Sequence, residues 1–171
     1  IGVIRLTERF VKSDPLSGRD EQKLTKHILS EIDRHCEQIT STGFDRVIGT
    51  SGTILSLGTV ATAMSDGAIP SELRNLRVGA KQIRRLRKEV AVLSLAQRLT
   101  IPGLDPRRAD LVVAGSVLLD TILRRLKENA ARPEGERQEF VSVIYTASNE
   151  IRSSVVFATI IICMVFVPLL F

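Results

Sequence analysis

Apolar residues recur with a helical period over residues 19–39. Leu24, Ile28, Ile32, Cys36 and Ile39 fall three or four positions apart, while Lys23, Lys26, Glu31, Arg34 and Glu37 lie opposite. That spacing predicts an amphipathic surface helix. A second such helix starts at Lys81, with Ile83, Leu86, Val90 and Leu93 on one stripe. A third opens at Asp105-Pro106, Asp as cap and Pro at the first helical position. It runs to about residue 126 and carries Leu111, Gly115, Leu118, Leu119, Ile122 and Leu126 on a broad apolar face. Ser94-Leu95-Ala96-Gln97 has capping-box spacing and predicts a short helix ending before Pro102-Gly103. Residues 1–7, 44–48 and 76–78 are short apolar runs that predict strands. Ser13-Asp14-Pro15, Ser17-Gly18 and the run Asp66 to Pro70 punctuate them as turns. Strands and helices are therefore both expected along the chain.

Residues 46–62, R-V-I-G-T-S-G-T-I-L-S-L-G-T-V-A-T, organise the rest. A strand-like run enters a loop of Gly49, Thr50, Ser51, Gly52 and Thr53, and an apolar helix leaves it. Strand, glycine loop and helix together aim backbone N–H groups at an anion. Glycines relax the backbone and let a phosphate come close. The three hydroxyls can cap the helix or contact a ligand, and turn geometry alone also explains such a loop. Ala114-Gly115, in the middle of the third long helix, costs about 1 kcal/mol of helix propensity at the glycine. Another backbone, or a ligand, is expected against that turn.

The chain has 171 residues, enough for one moderate core but not two full domains, and carries a net charge of +5. A basic balance favours anionic partners: phosphorylated substrates, nucleic acid or an acidic membrane surface. With one Tyr, six Phe and no Trp, a base-stacking surface is poorly supported, and no specific nucleic-acid binding is expected. Arg84, Arg85, Arg87 and Lys88 read as a solvated helix face, with a polyanion contact as the alternative. Asp110 and Asp120 read as helix-surface or capping groups. His27 and His35 lie two turns apart without a third ligand nearby, so packed or solvent-facing rings are expected. Cys36 and Cys163 read as two buried, reduced thiols.

Beyond a polar linker at 127–139, residues 155–171 form an uncharged apolar run of about 17 positions, short of a bilayer span of roughly 20. A hydrophobic, membrane-spanning helix is expected, with Arg152 at the interface and a buried core helix as the soluble alternative. The expected localisation is a cytoplasmic domain held at a membrane through residues 155–171.

The segments V-I-R-L-T-E-R-F, S-D-P, R-V-I-G-T-S-G-T-I and I-P-G-L-D-P-R-R-A-D-L-V-V-A-G-S-V-L-L occur in an order and spacing that resemble the exopolyphosphatase/guanosine pentaphosphate phosphatase (Ppx/GppA) family. The resemblance covers residues 1–126 and implies an α/β fold, part of a helix-rich, actin-like, ribonuclease-H-like lobe. It also implies hydrolysis of phosphoanhydrides in polyphosphate or guanosine pentaphosphate, with Mg²⁺, for which this chain offers no identifiable ligand. A homodimer is compatible with it. It places Gly49, Thr50, Ser51, Gly52 and Thr53 at the interlobe cleft, with Ala114 and Gly115 packed nearby. The family's first phosphate loop, its catalytic Glu and its second loop precede the R-L-T-E element, and none matches here. Glu8 and Glu21 do not correspond to that Glu. The expectation is a piece of a longer phosphohydrolase that is inactive alone.

The tail, Y-T-A-S-N-E-I-R-S-S-V-V-F-A-T-I-I-I-C-M-V-F-V-P-L-L-F, resembles a transmembrane segment of heavy-metal efflux transporters of the resistance–nodulation–division family, over residues 139–171. The organisation expected is therefore a partial phosphatase domain at 1–126, a linker or fusion junction at 127–139 and a hydrophobic helical tail at 140–171. Two other functions stay open. One is a membrane-tethered, non-catalytic phosphate- or nucleotide-binding module. The other is a piece of a metal-efflux transporter.

Overall fold

A computed structural model of the chain describes residues 1–131. Six α-helices and one 3-10 turn make up the described part: α1 (Val3–Phe10), α2 (Gly18–Thr42), α3 (Gly52–Asp66), α4 (Ala80–Val92), α5 (Leu95–Arg98), the turn Pro106–Arg108 and α6 (Val112–Ala130). α6 is the axis, packing against α1, α2, α3 and α4. Its first turns are buried on every side, from Val112 through Val117, as expected of a helix that is apolar all round.

Two apolar clusters meet on α6. Val112 and Val113 join Leu57, Val60, Ile83, Leu86 and Val90 of α3 and α4 in one. Ala114, Val117 and Leu126 join Leu6 of α1 and Leu24, Ile28, Ile32 and Cys36 of α2 in the other. Each fully buried aliphatic side chain contributes roughly 1.5–3 kcal/mol. Cys36 is buried and unpaired, and burial pushes its thiol above the ordinary range, so it stays protonated. The tilted contact of the His27 ring with Phe10, centroids 4.8 Å apart, makes that histidine a packed one.

The helix expectations hold for α2, α3 and α4, and Ser94 and Gln97 close the expected capping box. The α/β expectation does not hold: the described residues contain helices and turns only. Residues 3–10 are helical because Val3, Leu6 and Phe10 share the helical spacing that seals Leu6 into the second cluster, while Arg5, Glu8 and Arg9 stay outside it. Residues 44–48 and 76–78 form no strand: no ladder includes them among the described residues, and Leu76 and Val78 lie against Gly58 of the helix α3 instead. The helix expected from Asp105 also begins later. Asp105 caps only the 3-10 turn, accepting from the Arg107 amide at 3.1 Å, and the α-helix starts at Val112.

No described helix is long and apolar enough to cross a membrane. The expected hydrophobic helix at 155–171, the linker, Cys163 and the transporter-like segment lie outside the described residues.

Candidate functional site

The glycine loop feeds α3 as its spacing requires. Ser51 is the helix cap: its hydroxyl oxygen accepts the Ile54 amide at 3.2 Å. The Gly52 and Thr53 amides, first in the helix, donate to no described group. They are two of the orphan donors that every helix N-terminus presents. The positive end of the α3 dipole adds to them.

Gly49 and Gly52 do not take left-handed backbone angles; positive φ among the glycines occurs at Gly43, Gly67 and Gly103. Space explains them instead. A Cβ on Gly52 would sit 2.3 Å from Arg108 Nη2 and 2.7 Å from its Cζ. The guanidinium therefore lies against the first residue of α3, where any side chain would push it away. A Cβ on Gly49 would meet Ile54 Cγ2 at 2.3 Å.

Gly115 serves the same end from the other side. A Cβ there would come within 2.7 Å of Thr53 Cγ2. The glycine in α6 thus lets the first turn of α3 sit down on it, and the loop and the Ala114-Gly115 turn meet. Thr53 is buried at this contact, while Gly49, Thr50 and Ser51 are exposed. Ala114 faces the other way, into the α1–α2 cluster. A groove of about 1390 Å³ opens beside the loop, with Ser51, Ile54 and Arg108 lining it together with Val3, Leu118 and Ile122.

Arg108 is the functional candidate that sequence reasoning passed over. It sits in the D-P-R-R run, where the Asp105 cap and the Pro106 turn fix its direction. Its ion pair is loose, 3.6 Å to Asp105 Oδ2, and that carboxylate is also held by Arg107 at 3.1 Å. The Arg107 side chain and amide, with the Arg108 charge behind them, keep Asp105 below the usual carboxylate range. The arrangement therefore offers an anion a partly free cation, two open amides and a helix dipole.

The model of the Ppx/GppA phosphatase family matches residues 1–135. The chain belongs to the Ppx/GppA phosphatase family. It is 24% identical over 132 residues to exopolyphosphatase 2 of Mycobacterium tuberculosis, an alignment covering 76% of this chain and 40% of that protein. A crystal structure of the Ppx/GppA family member from Aquifex aeolicus superposes with a TM-score of 0.62 at 21% identity, covering 74% of this chain and 40% of that one. An exopolyphosphatase from Cytophaga hutchinsonii gives 0.62 at 26% identity, over 74% of this chain and 41% of its own. The chain spans about 40% of the length of the relatives it matches.

Divalent-metal dependence is general in the Ppx/GppA family. Among the described residues, however, no three His, Cys, Asp or Glu side chains converge as a metal site. Asp105, the carboxylate beside Arg108, is already engaged by two arginines. These residues do not fit a metal centre.

Proposed function

We propose that this chain supplies the phosphate-facing loop of a Ppx/GppA phosphohydrolase acting on the phosphoanhydrides of polyphosphate or guanosine pentaphosphate. The observation that carries this reading is the Arg108 guanidinium lying against Gly52, at the head of a helix whose first two amides are open. A phosphate oxygen in that position accepts from backbone N–H and from guanidinium together, the strong, charge-assisted kind of bond. Gly49, Thr50, Ser51, Gly52 and Thr53 form the loop, and Gly115, with Ala114 behind it, sets its height above α6.

Hydrolysis needs more than this. The loop supplies donors and positive charge, which stabilise anionic oxygens, but its own five residues carry no carboxylate to activate water, and Glu8 and Glu31, which line the wider groove, are not among them. Glu21 is bound to Arg87 at 2.6 Å, so it is not available to the loop. The reading is therefore of a chain that binds the phosphate chain and does not cleave it alone. Calorimetry with linear polyphosphate against inorganic sulfate tests it. The expected result is a preference for polyphosphate that Gly52→Val abolishes, with no orthophosphate released. Equal affinity for sulfate, or binding untouched by Gly52→Val, would contradict it, and phosphate release abolished by Thr53→Ala would contradict the inactivity.

A further inference from the structure

Between α5 and α6 the chain runs through turns stitched by short-range bonds. The Ile101 amide donates to the Arg98 carbonyl at 3.1 Å, and the Leu104 amide to that of Ile101 at 3.2 Å. Arg108, whose guanidinium lies against Gly52, hangs from this segment. Its amide is tied back to the Asp105 carbonyl at 2.8 Å. On its other side, the Ala109 carbonyl accepts from Arg98 Nε at 2.9 Å. The same guanidinium donates through Nη1 to the Leu93 carbonyl, just past α4, and through Nη2 to Asp14 Oδ1 at 2.7 Å. One planar fork thus joins the S-D-P turn, the end of α4 and the residue after Arg108.

Arg98 is 3% exposed, and Ala109 is wholly buried in the α3–α4 cluster. Removing a guanidinium from water is costly, and an apolar side chain of similar volume is often as stable in its place. Stability alone is therefore a weak reason for an arginine at 98. Geometry is a stronger one. A guanidinium presents its donors in fixed directions, and here they meet acceptors 11 and 84 positions away in the chain.

We infer that Arg98 is a positioning residue for phosphate binding. By fixing the Ala109 carbonyl it sets where the Arg108 side chain starts, and so whether that guanidinium reaches the head of α3. The inference rests on the phosphate reading of the loop. Arg108 is already in contact there, since a Cβ on Gly52 would sit 2.3 Å from its Nη2. Its own ion pair to Asp105 is loose, at 3.6 Å, and leaves the placement to the backbone. Displacing a group in such a site by about 1 Å can cost about a hundredfold.

A double-mutant cycle in the full chain, with affinity for linear polyphosphate read by calorimetry, tests this. Arg98→Lys keeps the charge but loses the fork. Arg108→Lys keeps a point charge at the loop without the rigid plane, so its weaker binding depends less on placement. The expected result is that Arg98→Lys weakens binding about tenfold in the parent and less than about twofold beside Arg108→Lys. A merely structural role would lower the unfolding midpoint and leave the affinity of the folded chain alone. Unchanged affinity in Arg98→Lys would overturn the inference, as would an equal loss in both backgrounds. Where Arg98→Lys lacks the parent's helical circular dichroism, Asp14→Asn, which loosens the outer end of the fork, takes its place. Its expected loss is about threefold in the parent and none beside Arg108→Lys, judged by the same criterion.

A second readout needs no ligand. The Gly52 amide shift of the labelled chain should move in Arg98→Lys, because the guanidinium beside it is displaced. An unmoved Gly52 amide would overturn the inference even where polyphosphate binds the parent. Equal affinity of the parent for sulfate, with a Gly52 amide that does move, would defeat the phosphate reading and leave the placement by Arg98 standing. The two therefore fail separately.

Discussion

Arg87 and Arg108 are both arginines beside apolar helices, yet the protein treats them in opposite ways. Arg87 lies between α2, α4 and α6 and is saturated: it donates to Asp120 on α6 and to Glu21 on α2, each at 2.6 Å. Asp120 is almost wholly buried, and Arg84 approaches it from the same helix as Arg87 at 3.6 Å. Burial works against the Arg87 charge, but the bonds to Asp120 and Glu21 outweigh it and raise its pKa. Arg108 has one loose carboxylate, shared with a neighbour, and about a third of its side chain faces solvent. A saturated cation ties helices together, whereas an unsaturated one beside open amides is available to a ligand.

That contrast breaks first at Arg87. Arg87→Ala leaves the buried Asp120 charge with only the half-exposed Arg84 at 3.6 Å and should cost up to about 3–5 kcal/mol in denaturant unfolding. A loss below about 1 kcal/mol would show that the pair is no more than a surface bridge. Gly115→Ala comes next. It drives a Cβ into Thr53 Cγ2, and the overpacking should cost about 1–3 kcal/mol, offset in part by a helix-propensity gain of about 1 kcal/mol. It should also weaken polyphosphate binding by shifting the first turn of α3. Thr53→Ser removes the opposing methyl, so the double variant should recover both stability and binding. If it recovers neither, the contact does not set the loop.

Smaller effects sharpen the same picture. Asp14 accepts the Leu95 amide at 2.7 Å and the Arg98 guanidinium at 2.7 Å, tying the S-D-P turn to the start of α5. The Leu95 amide chiefly holds the Asp14 carboxyl below the usual range; burial opposes it, and the Arg98 guanidinium adds to the lowering. A carboxylate depressed in the folded state stabilises above its unfolded value of about 3.9. That contribution is lost as pH falls through the lower folded value. The acid limb of a stability–pH curve should therefore flatten in Asp14→Asn, below about pH 4. Arg108→Ala is the smallest in stability, within about 1 kcal/mol, and that near-silence is what separates Arg108 from Arg87.

The helices were legible because a helix satisfies its own backbone and its apolar stripe is a local pattern. Leu24, Ile28, Ile32 and Cys36 announce α2 without reference to anything else, and all four are buried. Residues 44–48 have strand chemistry but no described partner, and a strand is a property of two segments. Arg87 reads as one cation in a solvated basic run because its partners lie 33 and 66 positions away. Arg84, Arg85 and Lys88, by contrast, are exposed as that reading requires. In the candidate site, Gly115 was legible as an anomaly: a glycine inside an apolar helix has to admit something, and it admits Thr53. Arg108 was not, since only the fold carries the second arginine of D-P-R-R to Gly52.

Amide chemical shifts of the isotope-labelled chain, titrated with linear polyphosphate, test the central claim most directly. The account predicts that the Gly52 and Thr53 amides move furthest and that Arg108→Ala removes the response. Shifts centred on Arg84, Arg85 and Lys88 of α4, unchanged in Arg108→Ala, would contradict it and make the exposed basic face the anion site instead.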